Sequence, residues 1–406
     1  MHSLREKNKE LMQKKTLFLT PTLPFPPHSG GVIKSNKLID FLSEEYNLSV
    51  ACLLKNDDNK HVAEFQQKYK LDDFISLELN IPRTAKNFFL SNLQGIPLNL
   101  YRNKSSEFKA KIKQVANDYD VIFCDHYVMF QYIPKDYKGK IILHEHNCEY
   151  LIWKRYADIE KSIPKKMALL NQAYRIKKYE QEICKKANII LAAPNDIDEL
   201  VNIGAVRNKF YETYHLGDDT LLSEPNLIFD QTEKVLLYIG TLSWEANIDG
   251  LIWFFNDIWK KITEQHADVK LYIVGKNPDV RLQTFAAKDN RIILTGFVEN
   301  VEPYFQKARA FITPLRFGSG IKVKIINSLY RGIPTVTTSI GTEGLKVKDG
   351  EHIFIKDNPT DYADAINTLL TNKEIWEKLS VNSRKIANQY YTWNYVLENI
   401  KKAIEQ

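Results

Sequence analysis

Short apolar runs bounded by polar turns alternate along this chain with longer segments whose apolar positions recur at helical spacing. In the first half the runs fall at 17–20, 48–54, 121–124, 141–144 and 189–192. They are continuous rather than alternating, the pattern of a strand covered on both faces. Between them lie a helical period over 33–42 and a long basic helix pair over about 154–186. Residues 215–232, HLGDDTLLSEPNLIFDQT, have no apolar period and read as a linker. A second alternating unit comes next, with strands expected at 235–239, 269–274, 292–295, 310–313 and 335–338 and a final helix over about 393–405. The alternation predicts an α/β protein with domains over 1–214 and 233–388, each a mostly parallel sheet with helices on both faces. Ligands of such sheets sit beyond the carboxyl ends of the strands, so a cleft between the two sets of strand ends is expected.

One segment adds chemistry to that outline. Residues 313–345 read TPLRFGSGIKVKIINSLYRGIPTVTTSIGTEGL, running from strand end through glycine turn, amphipathic helix and strand to a second glycine turn. Gly318 and Gly320 allow positive φ and let a ligand approach backbone without a Cβ in the way. Ile321, Ile325, Ile326 and Leu329 recur at helical spacing, which predicts a helix from about Ile321. Its first N–H groups lack helical partners and favour negative charge. Lys322 and Lys324 lie in that first turn and Arg316 just before the glycines, so backbone donors and cations together could hold a diphosphate. Glycine turns between strand and helix are common, and solvated lysines are the plain alternative. Against it, cations at a helix start oppose the dipole, an arrangement that a bound anion relieves.

Composition narrows the class. At 406 residues the chain is too long for one ordinary core, and 44% hydrophobic with 26% charged residues is the balance of a soluble globular protein. Cys52, Cys124, Cys148 and Cys184 form no CxxC pair, and with nine dispersed histidines no zinc pattern emerges, so reduced thiols and no metal site are expected. No apolar run approaches the ~20 residues that span a bilayer. A cytoplasmic protein with at most peripheral membrane contact is expected, its first strand preceded by a basic arm carrying Lys7, Lys9, Lys14 and Lys15. Charge is uneven: 33 Lys and Arg stand against 26 Asp and Glu in residues 1–215, and 23 against 24 in 216–406. The basic half suits an anionic lipid surface, although most such runs are solvated helix faces. Nucleic acid is disfavoured, because no recognition fold or aromatic–basic interleaving is present.

The second half resembles retaining glycosyltransferases of family 4, the group 1 glycosyl transferases, which have the GT-B fold of two Rossmann-like domains. The resemblance spans nearly the whole chain and is strongest over 236–345. It is carried by YIGTLSWEANIDGLIWFF, LYIVGKNP, GFVENVEPYFQKARAFITPLRFGSGIKVKI and GIPTVTTSIGTEGL, with PFPPHSGG and HEHNCEYLIWKRYA in the first half. It implies transfer of a sugar from a nucleotide diphosphate sugar to an acceptor hydroxyl with retention, without metal or other cofactor, in envelope polysaccharide or glycoconjugate synthesis. Gly318, Gly320, Ile321 and Lys324 would hold the donor diphosphate, and Gly30 and Gly31 would reach toward the donor phosphate and acceptor. His146 falls where the family places a histidine near the sugar. Phe297 and Val298 fall where backbone meets the base, and Glu343 is a further polar contact. The last segment, 389–406, would return to the N-domain.

Two departures matter. The family's paired glutamates, eight apart, are here Ser319 and Asn327, which weakens the expected hold on the donor ribose. The arginine and lysine usual after the first strand of the second domain are also missing. Thr241, Ala246 and Asn247 occupy that region, leaving the cationic work to Lys324 with Arg316, Lys322 or Lys276. The implied partners are the donor and an acceptor glycan or lipid-linked sugar. A nucleotide-sugar epimerase and a non-catalytic donor-binding subunit are the alternative readings.

Overall fold

A computed structural model describes residues 14–27, 30–318 and 320–406. Lys7, Lys9 and Ser319 lie outside the described residues. The chain divides into two compact units, one ending at His215 but including Leu397–Gln406, the other Leu216–Val396.

The first unit holds seven strands: β1 Lys15–Thr20, β2 Asn47–Leu54, β3 Asp73–Glu78, β4 Val121–Asp125, β5 Lys140–His144, β6 Ile189–Ala192 and β7 Phe210–Glu212. They form one parallel sheet in the order β3-β2-β1-β4-β5-β6-β7. The central strands are the continuous apolar runs, and Phe18 of β1 stacks on Phe123 of β4 with ring centres 5.1 Å apart. The order reverses between β1 and β4, so the crevice of this sheet opens where those two strands end, at Thr20 and Asp125. The helices of this unit include α1 Gly30–Glu45, α2 Ala85–Leu93, α3 Glu149–Ile159 and α4 Ile163–Lys186.

The second unit repeats the plan with β8 Glu233–Ile239, β9 Lys270–Val274, β10 Ile292–Gly296, β11 Ala308–Thr313, β12 Thr335–Thr337 and β13 Phe354–Ile355. Their order, β10-β9-β8-β11-β12-β13, is again wholly parallel and reverses between β8 and β11. Tyr362, fully buried, ties the ends of β11 and β12 together. Its hydroxyl donates to Val336 O at 2.7 Å and accepts from the Thr313 N–H at 3.2 Å. In both units the long apolar runs became strands close to their expected limits. β3, β7 and β13 were not expected: DFISLE is a half-buried edge with mixed polarity, and the other two are only three and two residues long.

Two helices start near the reversal point of the second sheet, α5 Glu245–Trp253 and α6 Val323–Arg331. α6 begins two residues later than its apolar spacing predicts. Gly320, at φ +73°, and Lys322, at ψ 88°, hold the approach in non-helical conformation. Ile325, Ile326 and Leu329 are fully buried on its inner face, and Gly332 closes it in the left-handed conformation at φ +71°. The last helix, Trp393–Glu405, starts in the second unit, while its residues from Leu397 belong to the first. There Lys401 pairs with Glu45 of α1 at 2.6 Å, and Ile404 O accepts from Lys140 Nζ at 3.1 Å. Among the described residues no helix is long and apolar enough to cross a membrane. Because α6 is anchored by this buried face, Leu329→Ala should destabilise the second unit by roughly 2–5 kcal/mol, seen as a lowered urea midpoint.

Candidate active site

Beyond the carboxyl ends of β8 and β11, at the reversal point of the second sheet, lies a cavity of about 450 Å³. It is lined by Gly240 and Thr241 after β8, by Trp244 and Asn247 at the start of α5, by Leu315 and Phe317 after β11, and by Gly318 and 321–324 leading into α6. Six of the candidate donor-site residues read from the sequence meet here: Asn247, Gly318, Ile321, Lys322, Lys324 and Asn327.

Lys324 dominates the electrostatics. Its Nζ donates to the Tyr238 hydroxyl and to Asn247 Oδ1, each at 2.8 Å, and lies 4.5 Å from the centre of the Tyr238 ring. Asn247 is itself fixed, its Nδ2 donating to Thr241 O at 2.9 Å. Both partners are neutral, so no carboxylate among the described residues offsets the ammonium. Burial, with Lys322 nearby, therefore lowers its pKa to about 7. The site has room for this head group because residue 240 is glycine; a Cβ there would sit 2.9 Å from Lys324 Nζ. A buried cation held by neutral groups, beside the N-terminus of a nine-residue helix, is an arrangement that a bound anion would stabilise.

Two of the other predicted cations, Lys322 and Arg316, are engaged. Lys322 donates to Gly320 O at 2.6 Å, with Glu343 3.9 Å away, so Gly320 and Glu343 stand behind the cavity wall. Arg316 is paired with Asp249, its Nε 2.9 Å from Oδ2. Asn327 accepts from the Asp218 N–H at 3.2 Å through its Oδ1. Lys276, Phe297 and Val298 sit on adjoining loops, joined by the Gly275 N–H donating to Gly296 O at 3.0 Å. They do not line the cavity; Phe297 is largely exposed and Val298 packs near Phe305.

His146, Gly30 and Gly31 belong to the first unit, where a second polar constellation was only half visible in the sequence. Asp125, ending β4, is fully buried and receives three hydrogen bonds: from Ser35 Oγ of α1 at 2.6 Å, His144 Nδ1 at 2.7 Å and His146 Nε2 at 2.8 Å. Burial would raise this carboxyl's pKa, but the two histidines hold it well below the usual range. An ionised carboxylate only accepts, so His146 carries a proton on Nε2 and turns Nδ1 away from Asp125. That nitrogen lies 3.5 Å from where a Cβ on Gly31 would be, and Gly30 and Gly31 open α1. His126 takes φ +103°, a conformation costing of order 1–3 kcal/mol. Its ring packs 5.2 Å from that of His146, and burial followed by His146 pushes its pKa down to about 3. Asp125, His144 and His146 each offer a ligand atom within 4.8 Å of the others. A cation would have to displace both imidazole protons from Asp125. Glu145 is turned inward with both oxygens lacking partners among the described residues, and burial, followed by the carboxylates of Glu180 and Glu149, raises its pKa well above the usual range.

Two Rossmann-like units, each built on a wholly parallel sheet, have the architecture of the GT-B fold. Residues 233–372 match the family model described as Glycosyl transferases group 1. A 44.6 kDa protein in the cps region of Klebsiella pneumoniae, uncharacterized, is 21% identical over 400 residues, covering 96% of this chain and 99% of that protein. A putative glycosyltransferase of Bacillus subtilis, YtcC, is 26% identical over 185 residues, 42% of this chain and 44% of its own length. Among solved structures, Anabaena HepE in complex with UDP and glucose superposes with a TM-score of 0.61 at 15% identity, covering 97% of this chain and all of that one. Sucrose-phosphate synthase from Thermosynechococcus elongatus gives 0.68 at 15% identity, covering 97% and 99%. At such identities the structural likeness establishes the fold. The chain resembles the group 1 glycosyl transferases.

The electrostatics of the two polar centres have measurable outcomes. A bound diphosphate raises the pKa of Lys324, so UDP binding at about pH 8 should take up a proton and weaken as pH rises above about 7. Calorimetry in buffers of different ionisation heat measures the uptake, and Lys324→Met should abolish it. In the first unit, Asp125→Asn should release the imidazole tautomer of His146, visible as a change in its ring nitrogen shifts by NMR.

Proposed function

We propose that this chain transfers a glycosyl unit from a nucleoside diphosphate sugar to an acceptor hydroxyl with retention at the anomeric carbon. The observation that carries the reading is Lys324, a buried ammonium held by two neutral groups beside a helix N-terminus. Cleavage of the anomeric C–O bond leaves both electrons on the departing diphosphate. Lys324 and the amides opening α6 stabilise that charge from fixed positions, with no reorganisation as it develops. The acceptor oxygen attacks from the same face, and its proton passes to a diphosphate oxygen. The step requires neither a protein nucleophile nor a metal-held leaving group.

The UDP and UDP-glucose complexes of HepE support a uridine diphosphate sugar as the first donor to test. For the ribose, Asn327 has its Oδ1 engaged by Asp218, which leaves the amide nitrogen as the group to donate to a ribose hydroxyl. The backbone at Phe297 and Val298 is assigned to the base. His146, with Nδ1 turned away from Asp125, is assigned to a sugar hydroxyl. The match to a protein in a cps region favours an acceptor in polysaccharide or glycoconjugate synthesis.

Incubation with UDP-glucose and candidate acceptors should release UDP and yield a product of unchanged anomeric configuration by NMR. Lys324→Ala should lower turnover roughly 10²- to 10³-fold, about 2–4 kcal/mol of transition-state stabilisation. Undiminished turnover in that variant would overturn the assignment. UDP release that needs no acceptor would instead indicate epimerisation or hydrolysis.

A further inference from the structure

α4 is amphipathic twice over. Its inner face buries Leu169, Ala173, Ile176 and Ile183. On the opposite side Ile163, Met167 and Tyr174, spaced four and seven apart, remain 75%, 62% and 56% exposed. That spacing makes a single stripe along the helix. Neighbouring helices extend it. Asn92 Oδ1 on α2 accepts from Asn171 Nδ2 of α4 at 3.2 Å, so the end of α2, with the exposed Phe89 and Leu93, lies against α4. Tyr156 of α3, also exposed, lies 5.3 Å from Lys165 Nζ.

Scattered exposed apolar residues are ordinary, but six large ones on three neighbouring helices are not. The charge around them identifies what covers them. α4 carries seven Lys and Arg against two Glu, and one of those, Glu180, is fully buried. Lys178 Nζ lies 4.6 Å from the Tyr174 ring, so the cationic rim borders the apolar stripe directly. A second copy of this face would bring like charges together and is disfavoured. A helix face with an apolar stripe and lysine flanks matches the boundary between acyl chains and anionic headgroups.

We propose that the α2–α3–α4 face of the first unit docks on an anionic lipid bilayer, Leu93, Ile163, Met167 and Tyr174 entering the headgroup boundary and the α4 lysines contacting the phosphates. The docking is independent of the transfer reaction, and it favours an acceptor carried in the same membrane.

The full chain should float with vesicles of phosphatidylcholine containing phosphatidylglycerol at low salt, and not with phosphatidylcholine alone. Raised salt should release it. Leu93→Glu with Met167→Glu should weaken binding at least tenfold, and Lys177→Gln with Lys178→Gln about fivefold per lysine. All four side chains lie in the first unit and outside the cavity of the second, so an unchanged circular dichroism spectrum and urea midpoint show that the variants are folded, and unchanged heat of UDP binding separates this outcome from failure of the transfer reading. The proposal is overturned if the wild-type chain ignores anionic vesicles at low salt, or if both double variants bind them as the wild type does. It is equally overturned if the apolar variant only converts a dimer to a monomer in sedimentation equilibrium, which would assign the face to a second copy.

Discussion

An ammonium removed from water and held only by neutral groups is the constraint around which the second unit is arranged. Isolated burial of such a charge is strongly unfavourable, and here a phenol, an amide oxygen and a ring face oppose the penalty. Several features hold it in place: a glycine at 240 that leaves room for the head group, Asn247 locked onto Thr241, and a helix anchored by Ile325, Ile326 and Leu329. The free site is thus kept in a state that an anion improves. The desolvation of the charge is a cost to stability that a bound anion would recover.

The first unit solves a different problem with the opposite sign. Asp125 is a buried anion, and it is fully matched by three donors, so it acts as a rigid mount rather than a ligand site. Its effect is to choose which nitrogen of His146 faces outward. A charge compensated within the protein orients a neighbour, whereas an uncompensated charge attracts a ligand.

How far the sequence disclosed these sites depended on the range of the interactions. The doubly wound sheets were legible because covered parallel strands are long apolar runs, and the glycine turn before α6 was legible because its residues are consecutive. Lys324 could be chosen as a cation at a helix start, but not as a buried one, since Tyr238 lies 86 residues earlier. Asp125 was missed altogether. It reads as the polar end of an apolar run, and only the parallel register that sets it opposite His144 turns it into the centre of a network. The usable signal was the pairing of a strand-ending Asp with the alternation of histidines in HEH at the end of the next strand. Arg316 carries a related lesson. Its position before the glycines suggested a phosphate ligand, yet Asp249, on α5, engages its guanidinium.

The last helix begins in the second unit and ends in the first. Residues 397–406 complete the first unit, and Ile400, Ala403 and Ile404 are buried in it, yet they are synthesised after the whole of the second. During translation the second unit can therefore close before the first has its final apolar contacts. The final contacts of the first unit thus depend on residues made only after the whole of 216–396.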